Sequence, residues 1–173
     1  MWRVLIVEDD LLTREFFAAS VARNPTLLLV GMAGTVTQAC SWLRNNVGGV
    51  DVLLADLGLP DGNGLDVIRM AVTLNPTCEP LVISMFGDDD SVLASIEAGA
   101  LGYIHKDATP DDISKTILDM RNGESPISPM IARRVLAKYR FFKPNCAEST
   151  VNNTKSAINS IENRNRSDGE QRS

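Results

Sequence analysis

Apolar residues in this chain come in short, nearly unbroken runs: "RVLIV", "LLLVGMA", "VDVLLAD", "PLVISMF" and "LGYIHK". They do not alternate with polar residues, which is how strands read when both faces of a sheet are covered. The stretches between them carry helical spacing instead. From Leu11 to Ala22, residues Leu12, Phe16, Ala19 and Val21 fall on one side of a helix. From Gly64 to Leu74, Leu65, Ile68, Ala71 and Val72 do the same. Further helices fit Thr35–Asn46, Asp89–Ala98 and Pro110–Asn122.

Strand then helix, five times over, predicts a parallel sheet with helices on both faces. With right-handed crossovers this is a five-stranded, doubly wound α/β sandwich of the flavodoxin-like kind. One more helix is expected in "SPISPMIARRVLAKYRFF". It starts near Ser128-Pro129, with a serine cap and a proline in the first turn, and Ile131, Val135, Leu136 and Tyr139 as its apolar stripe. From Lys143 onward the chain is rich in Asn and Ser and poor in large apolar groups, which reads as a flexible tail. The expected layout is a sheet domain over 1–122, a linker helix over 123–143 and a polar tail over 144–173.

Composition narrows the class. A net charge of −5 argues against a domain that grips a phosphate backbone by charge alone. No apolar run approaches the roughly 20 residues of a membrane helix. Met1-Trp2-Arg3 leads straight into a strand, without a leader pattern, so a cytoplasmic protein with no membrane partner is expected. Cys40, Cys78 and Cys146 are far apart and lack metal-ligand spacing, as reduced thiols would. His105 is the only histidine, so no histidine cluster can form.

In such sheets ligands bind at the carboxyl ends of the strands. Strand one ends in Glu8, Asp9 and Asp10, strand three in Asp56, strand four at Ser84 and strand five in His105-Lys106. Carboxylates in that number suit a hard cation such as Mg²⁺, which would also relieve their mutual repulsion. Singly, each residue has a plainer reading. Asp10 fits a helix N-cap, Asp56 a turn before Pro60, and Lys106 a solvated charge. All of them at the ends of one sheet favour a site.

These residues carry a resemblance. "VLIVEDD", "DVLLADLGLPDGNGLDVI", "LVISMF" and "EAGALGYIHKD", in that order from Met1 to about Asn122, resemble the receiver domain of two-component response regulators. The resemblance implies that Asp56 accepts a phosphoryl group from a sensor histidine kinase. It implies Mg²⁺ held by Glu8, Asp9, Asp56 and the backbone carbonyl of Gly58, with Asp10 as the alternative to Asp9 if the first strand runs one residue longer. Lys106 would contact the phosphoryl oxygens and Ser84 would hydrogen-bond the new phosphate. As Ser84 moves toward it, Tyr103 would rotate inward, altering a surface at the Asp89 helix and the Gly102–His105 strand. Such a domain is not an enzyme in the ordinary sense, since it catalyses only its own phosphorylation and dephosphorylation.

"GESPISPMIARRVL" resembles the linker that joins a receiver to a LuxR-type helix-turn-helix, which implies transcriptional control. A complete output domain needs about 60 more residues. "ESTVNNTKSAINSIENRNRS" has only a faint likeness to its end, and an unstructured tail is the alternative. Specific DNA binding is not expected of this chain alone, whereas a homodimer formed on phosphorylation is. Two other classes fit the residues less well. A haloacid-dehalogenase-type phosphatase needs a second Asp two residues after the nucleophile, where this chain has Gly58. A pseudo-receiver that takes no phosphate should have lost part of the set, and none is lost.

Overall fold

The structure, a computed structural model, describes residues 1–85, 88–109, 112–127 and 129–141. The tail over 144–173, Cys146, Gly87, Pro110 and the expected Ser128 cap lie outside the described residues.

The strand β1 (Trp2–Val7) shows why the apolar runs are unbroken. Val4 and Ile6 enter one core layer, Leu5 and Val7 the other, and all four are buried. The same division holds in β3 (Val52–Ala55), where Val52 and Leu54 oppose Leu53 and Ala55. These strands alternate with α1 (Leu11–Arg23), β2 (Leu27–Ala33) and α2 (Val36–Asn45). A two-rung antiparallel hairpin, β4 (Gly58–Leu59) with β5 (Gly62–Asn63), follows β3. Then come α3 (Gly64–Leu74), β6 (Glu79–Ser84), α4 (Asp89–Ala98), β7 (Gly102–His105), α5 (Ile113–Arg121) and α6 (Pro129–Phe141).

The main sheet is all parallel, in the order β2-β1-β3-β6-β7. This is the five-stranded doubly wound arrangement that the sequence predicts. One layer joins the sheet to α2, α3 and α4 through Leu43, Val67, Ile68, Ala71 and Val92. The other joins it to α1 and α5 through Phe17, Val21, Ile113, Ile117 and Met120. Register places the functional strand ends side by side. Val7 pairs with Ala55, so Glu8 and Asp56 emerge together. Ser84 pairs with His105, so Lys106 emerges next to them.

Two expected apolar stripes are corrected. In α1 the buried residues are Phe17, Ser20 and Val21, while Leu12 and Phe16 are exposed, as is Ala19. The helix carries apolar residues around most of its circumference, so spacing alone does not choose a face. Ser20 is on the core side because its hydroxyl donates to Asp112 Oδ1 at 2.9 Å and accepts from Ser114 N at 3.2 Å. In α6, Ile131 is fully buried and Val135 packs beside it, but Leu136 is exposed. Tyr139's side chain lies outside what is described. Ahead of α6 the chain runs along the edge of β7, with Tyr103 N donating to Pro126 O at 3.0 Å and Ser125 Oγ to Leu101 O at 2.6 Å.

Candidate functional site

Asp56 follows β3 directly and is 6% exposed. Each of its oxygens has its own partners. Oδ1 accepts from Ser84 Oγ at 2.9 Å and from Gly58 N at 3.2 Å, and Oδ2 accepts from Lys106 Nζ at 2.7 Å. Lys106 Nζ also lies 2.9 Å from both Glu8 oxygens, with hydrogen-bond geometry toward Oε1 only. Glu8 Oε2 is buried without a hydrogen-bond partner among the described residues. One ammonium therefore serves two buried carboxylates, and Glu8 Oε2 meets it as an ion pair without a hydrogen bond.

The protonation equilibria record that imbalance. Burial pushes the Glu8 carboxyl up from its ordinary value, against the opposing pull of Lys106. Burial acts to lower the Lys106 ammonium, but Asp56 and Glu8 outweigh it and the net shift is upward. A carboxyl raised in the folded state binds its proton more tightly there than in the unfolded chain. Stability from this group is thus greatest at acid pH and falls as pH rises through the folded pKa. Glu8→Gln is expected to stabilise the Mg²⁺-free protein at neutral pH, because the amide keeps the neutral state that burial favours. Urea midpoints at neutral pH and below pH 4.5 check this, because the gain should vanish at the acid end.

Glu8, Asp9 and Asp56 each present a carboxylate oxygen, all within 4.8 Å of one another. A trio of hard oxygen donors, with one buried Glu8 oxygen lacking a hydrogen-bond partner, fits a divalent cation of the Mg²⁺ type. Asp10 does not belong to the trio. It caps α1, accepting from Thr13 N at 2.8 Å and Thr13 Oγ1 at 2.6 Å, whereas the Asp9 carboxylate is the one grouped with Glu8 and Asp56. Gly58 sits in the hairpin immediately beyond Asp56.

Tyr103 is 1% exposed, shares a hydrogen bond with Ser84, and is pushed up to about 12 by burial and by the charge of Asp88. Its ring is therefore already inside while Ser84 bonds an unmodified Asp56. The expected inward rotation on phosphorylation is not needed to reach this position. His105 Nε2 meets Met85 O at 2.9 Å and Nδ1 accepts from Asp107 N at 3.3 Å, so the lone histidine holds backbone at the rim. Asp88 caps α4, accepting from Ser91 N at 2.9 Å. Cys40 and Cys78 are free, buried thiols, Cys78 raised to about 12 by burial.

Two residues near the site were not picked out from the sequence. Arg14 Nη1 donates to Glu8 O at 2.6 Å and Asp9 O at 3.3 Å, pinning the acidic loop from the first turn of α1. Asp61, within "DLGLPDGNG", reaches from the hairpin to α2. An arginine a turn beyond an acidic pair is a usable local signal, but the partner of Asp61 lies 24 and 25 residues away and leaves none.

Fold and pocket together define a class: a parallel-sheet domain whose strand ends gather a carboxylate trio, a hydroxyl and an ammonium, with no second acid two residues beyond Asp56. Residues 4–118 match the family model described as the response regulator receiver domain, and the chain belongs to that family. It is 31% identical over 140 residues to the DNA-binding transcriptional activator DevR/DosR of Mycobacterium tuberculosis, covering 81% of this chain and 64% of that protein. The chain spans about two thirds of the length of the curated relatives it matches. A LuxR-family two-component response regulator from an Aurantimonas species superposes with a TM-score of 0.69 at 26% identity, over 79% of this chain and 96% of that one. The signal receiver domain of the putative response regulator NarL from M. tuberculosis gives 0.61 at 27%, over 71% and 98%. Among the described residues no helix is long and apolar enough to cross a membrane.

Proposed function

We propose that Asp56 accepts a phosphoryl group from a phosphohistidine on a sensor histidine kinase, in a reaction that requires Mg²⁺. The observation that carries this is the disposition of Asp56, with Lys106 on one oxygen, Ser84 on the other, and Glu8 and Asp9 alongside. An Asp56 oxygen forms the new O–P bond as the donor's N–P bond breaks, and the electron pair of that bond returns to the imidazole. Glu8, Asp9, Asp56 and the Gly58 carbonyl would hold the cation, and Mg²⁺ supplies charge neutralisation for an in-line transfer. Lys106 moves from carboxylate to phosphoryl oxygen, and Ser84 redirects its hydroxyl to another. Tyr103, already packed on Ser84, reports the change to β7 and α4.

Several relatives are named as transcriptional regulators, and we assign this chain to the same signalling role in the cytoplasm. Phosphorylation would favour a homodimer, and this chain alone is not expected to bind DNA specifically.

Intact mass after incubation with acetyl phosphate tests the reading. A gain of one phosphoryl, about 80 Da, is expected with Mg²⁺ and none after chelation, with the circular dichroism spectrum unchanged. Chelation leaves the fold intact because the buried sheet, not the metal, holds it. No gain in a sample shown to bind Mg²⁺ would leave the pseudo-receiver as the better account.

A further inference from the structure

The hairpin that follows Asp56 is fastened at both ends. At its base Gly64 N donates to Leu57 O at 3.0 Å, and Gly64 lies so close to Asp56 O that no side chain fits between them. At its tip Asp61 spans to the first turn of α2. Asp61 Oδ1 accepts from Val36 N at 2.7 Å, and Oδ2 accepts from Thr37 N at 2.9 Å and Thr37 Oγ1 at 2.7 Å. Gly62 lies against Val36, where an added Cβ would come 3.3 Å from Val36 Cγ2. Gly58 is between these anchors, paired with Asn63.

The helix does not need Asp61 as a cap. Thr35 is already its N-cap, its Oγ1 accepting from Gln38 N at 3.1 Å. Asp61 takes two of the remaining free N–H groups of the helix end from a distant loop. What it adds is a tether of the hairpin to a rigid element. Those N–H groups hold the Asp61 carboxyl below the usual carboxylate range, so the tether stays charged at neutral pH. The same region touches the acidic loop as well, since Glu8 N donates to Ala33 O at 3.0 Å and Gly34 abuts Arg14.

Resting on the reading of the pocket as a Mg²⁺ and phosphoryl site, we propose that Asp61 is a positioning residue for it. By clamping the hairpin to α2, Asp61 fixes Gly58 relative to Asp56 and so sets cation affinity. Asp61 touches neither the cation nor the phosphoryl group.

The test is calorimetric titration of the full chain with Mg²⁺ alone, in 0.15 M KCl, where exposed charges are largely screened. Asp61→Ala is expected to raise the Mg²⁺ dissociation constant about tenfold, the lower range for removing a residue that orients a metal ligand. Phosphoryl uptake from acetyl phosphate should need correspondingly more Mg²⁺ but reach the parent's rate at saturation. Thr35→Ala, which strips a cap from the same helix end without touching the hairpin, should lower Tm and leave the dissociation constant alone. Equal constants for Asp61→Ala and the parent, or an equal rise in Thr35→Ala, would overturn the proposal while the parent's own mass gain keeps the site reading. A parent chain that binds no Mg²⁺ would overturn both.

Discussion

Asp56→Asn is expected to take up no phosphoryl group from acetyl phosphate and Mg²⁺ while folding as the parent does. The amide oxygen can still accept from Ser84 Oγ and Gly58 N, so the loop keeps two of its contacts. The amide group facing Lys106 loses an ion pair. Lys106 retains Glu8, and removal of one carboxylate relieves the charge that helps hold the Glu8 pKa up. These effects oppose one another, and the net change in stability should stay within about 1 kcal/mol. The loss of function has a different origin. An amide is not a nucleophile that can form an acyl phosphate; of the nearby carboxylates Glu8 is paired with Lys106, Asp9 belongs to the proposed cation site, and Asp10 is committed to its cap. Intact mass is the readout. A gain of about 80 Da in the variant would show that some other residue accepts the phosphoryl group.

Gly64→Ala is expected to damage both stability and chemistry. A Cβ at Gly64 would lie 2.0 Å from Asp56 O, and 3.0 Å from both Asp56 C and Leu57 Cα. All three are backbone atoms, so no side chain can swing aside, and either α3 or the Asp56 loop must move. Overpacking of this kind should cost about 3 kcal/mol in urea unfolding. Displacement of Asp56 by a fraction of an ångström to an ångström should slow phosphoryl uptake by about a hundredfold. Gly48→Ala is the control. Gly48 has φ +71 and open space around it, so alanine there strains the backbone without touching the pocket. It should cost about 1 kcal/mol and leave the uptake rate unchanged. Equal behaviour of the two variants would show that close approach at Gly64 is not what the loop requires.

Much of this protein is legible along its sequence. The unbroken runs at Val4–Val7, Val52–Ala55 and Leu81–Ile83 mark strands covered on both faces, and the structure divides each run between two core layers. The acids and the hydroxyl close the strands where the sheet ends, so they are found together once the strands lie parallel. Helical stripes were less reliable. In α3 the stripe picks out buried Ile68 and Ala71, but in α1 it selects Leu12 and Phe16, which face outward. A polar residue decided the α1 case, since Ser20 is drawn inward by Asp112, 92 residues away.

The sequence by itself determined the parallel layered fold and the identity of the carboxylates, hydroxyl and ammonium at its edge. Period and strand-end position are local properties of the chain. Tertiary structure alone decided that Asp9 and not Asp10 joins the trio, that Tyr103 is already inside, and that one lysine serves both Glu8 and Asp56. It also decided that Asp61 tethers the hairpin to α2. The reason is physical. A hydrogen bond or ion pair depends on distance in space, and Lys106 is separated from Glu8 by 98 residues of chain that carry no mark of their meeting.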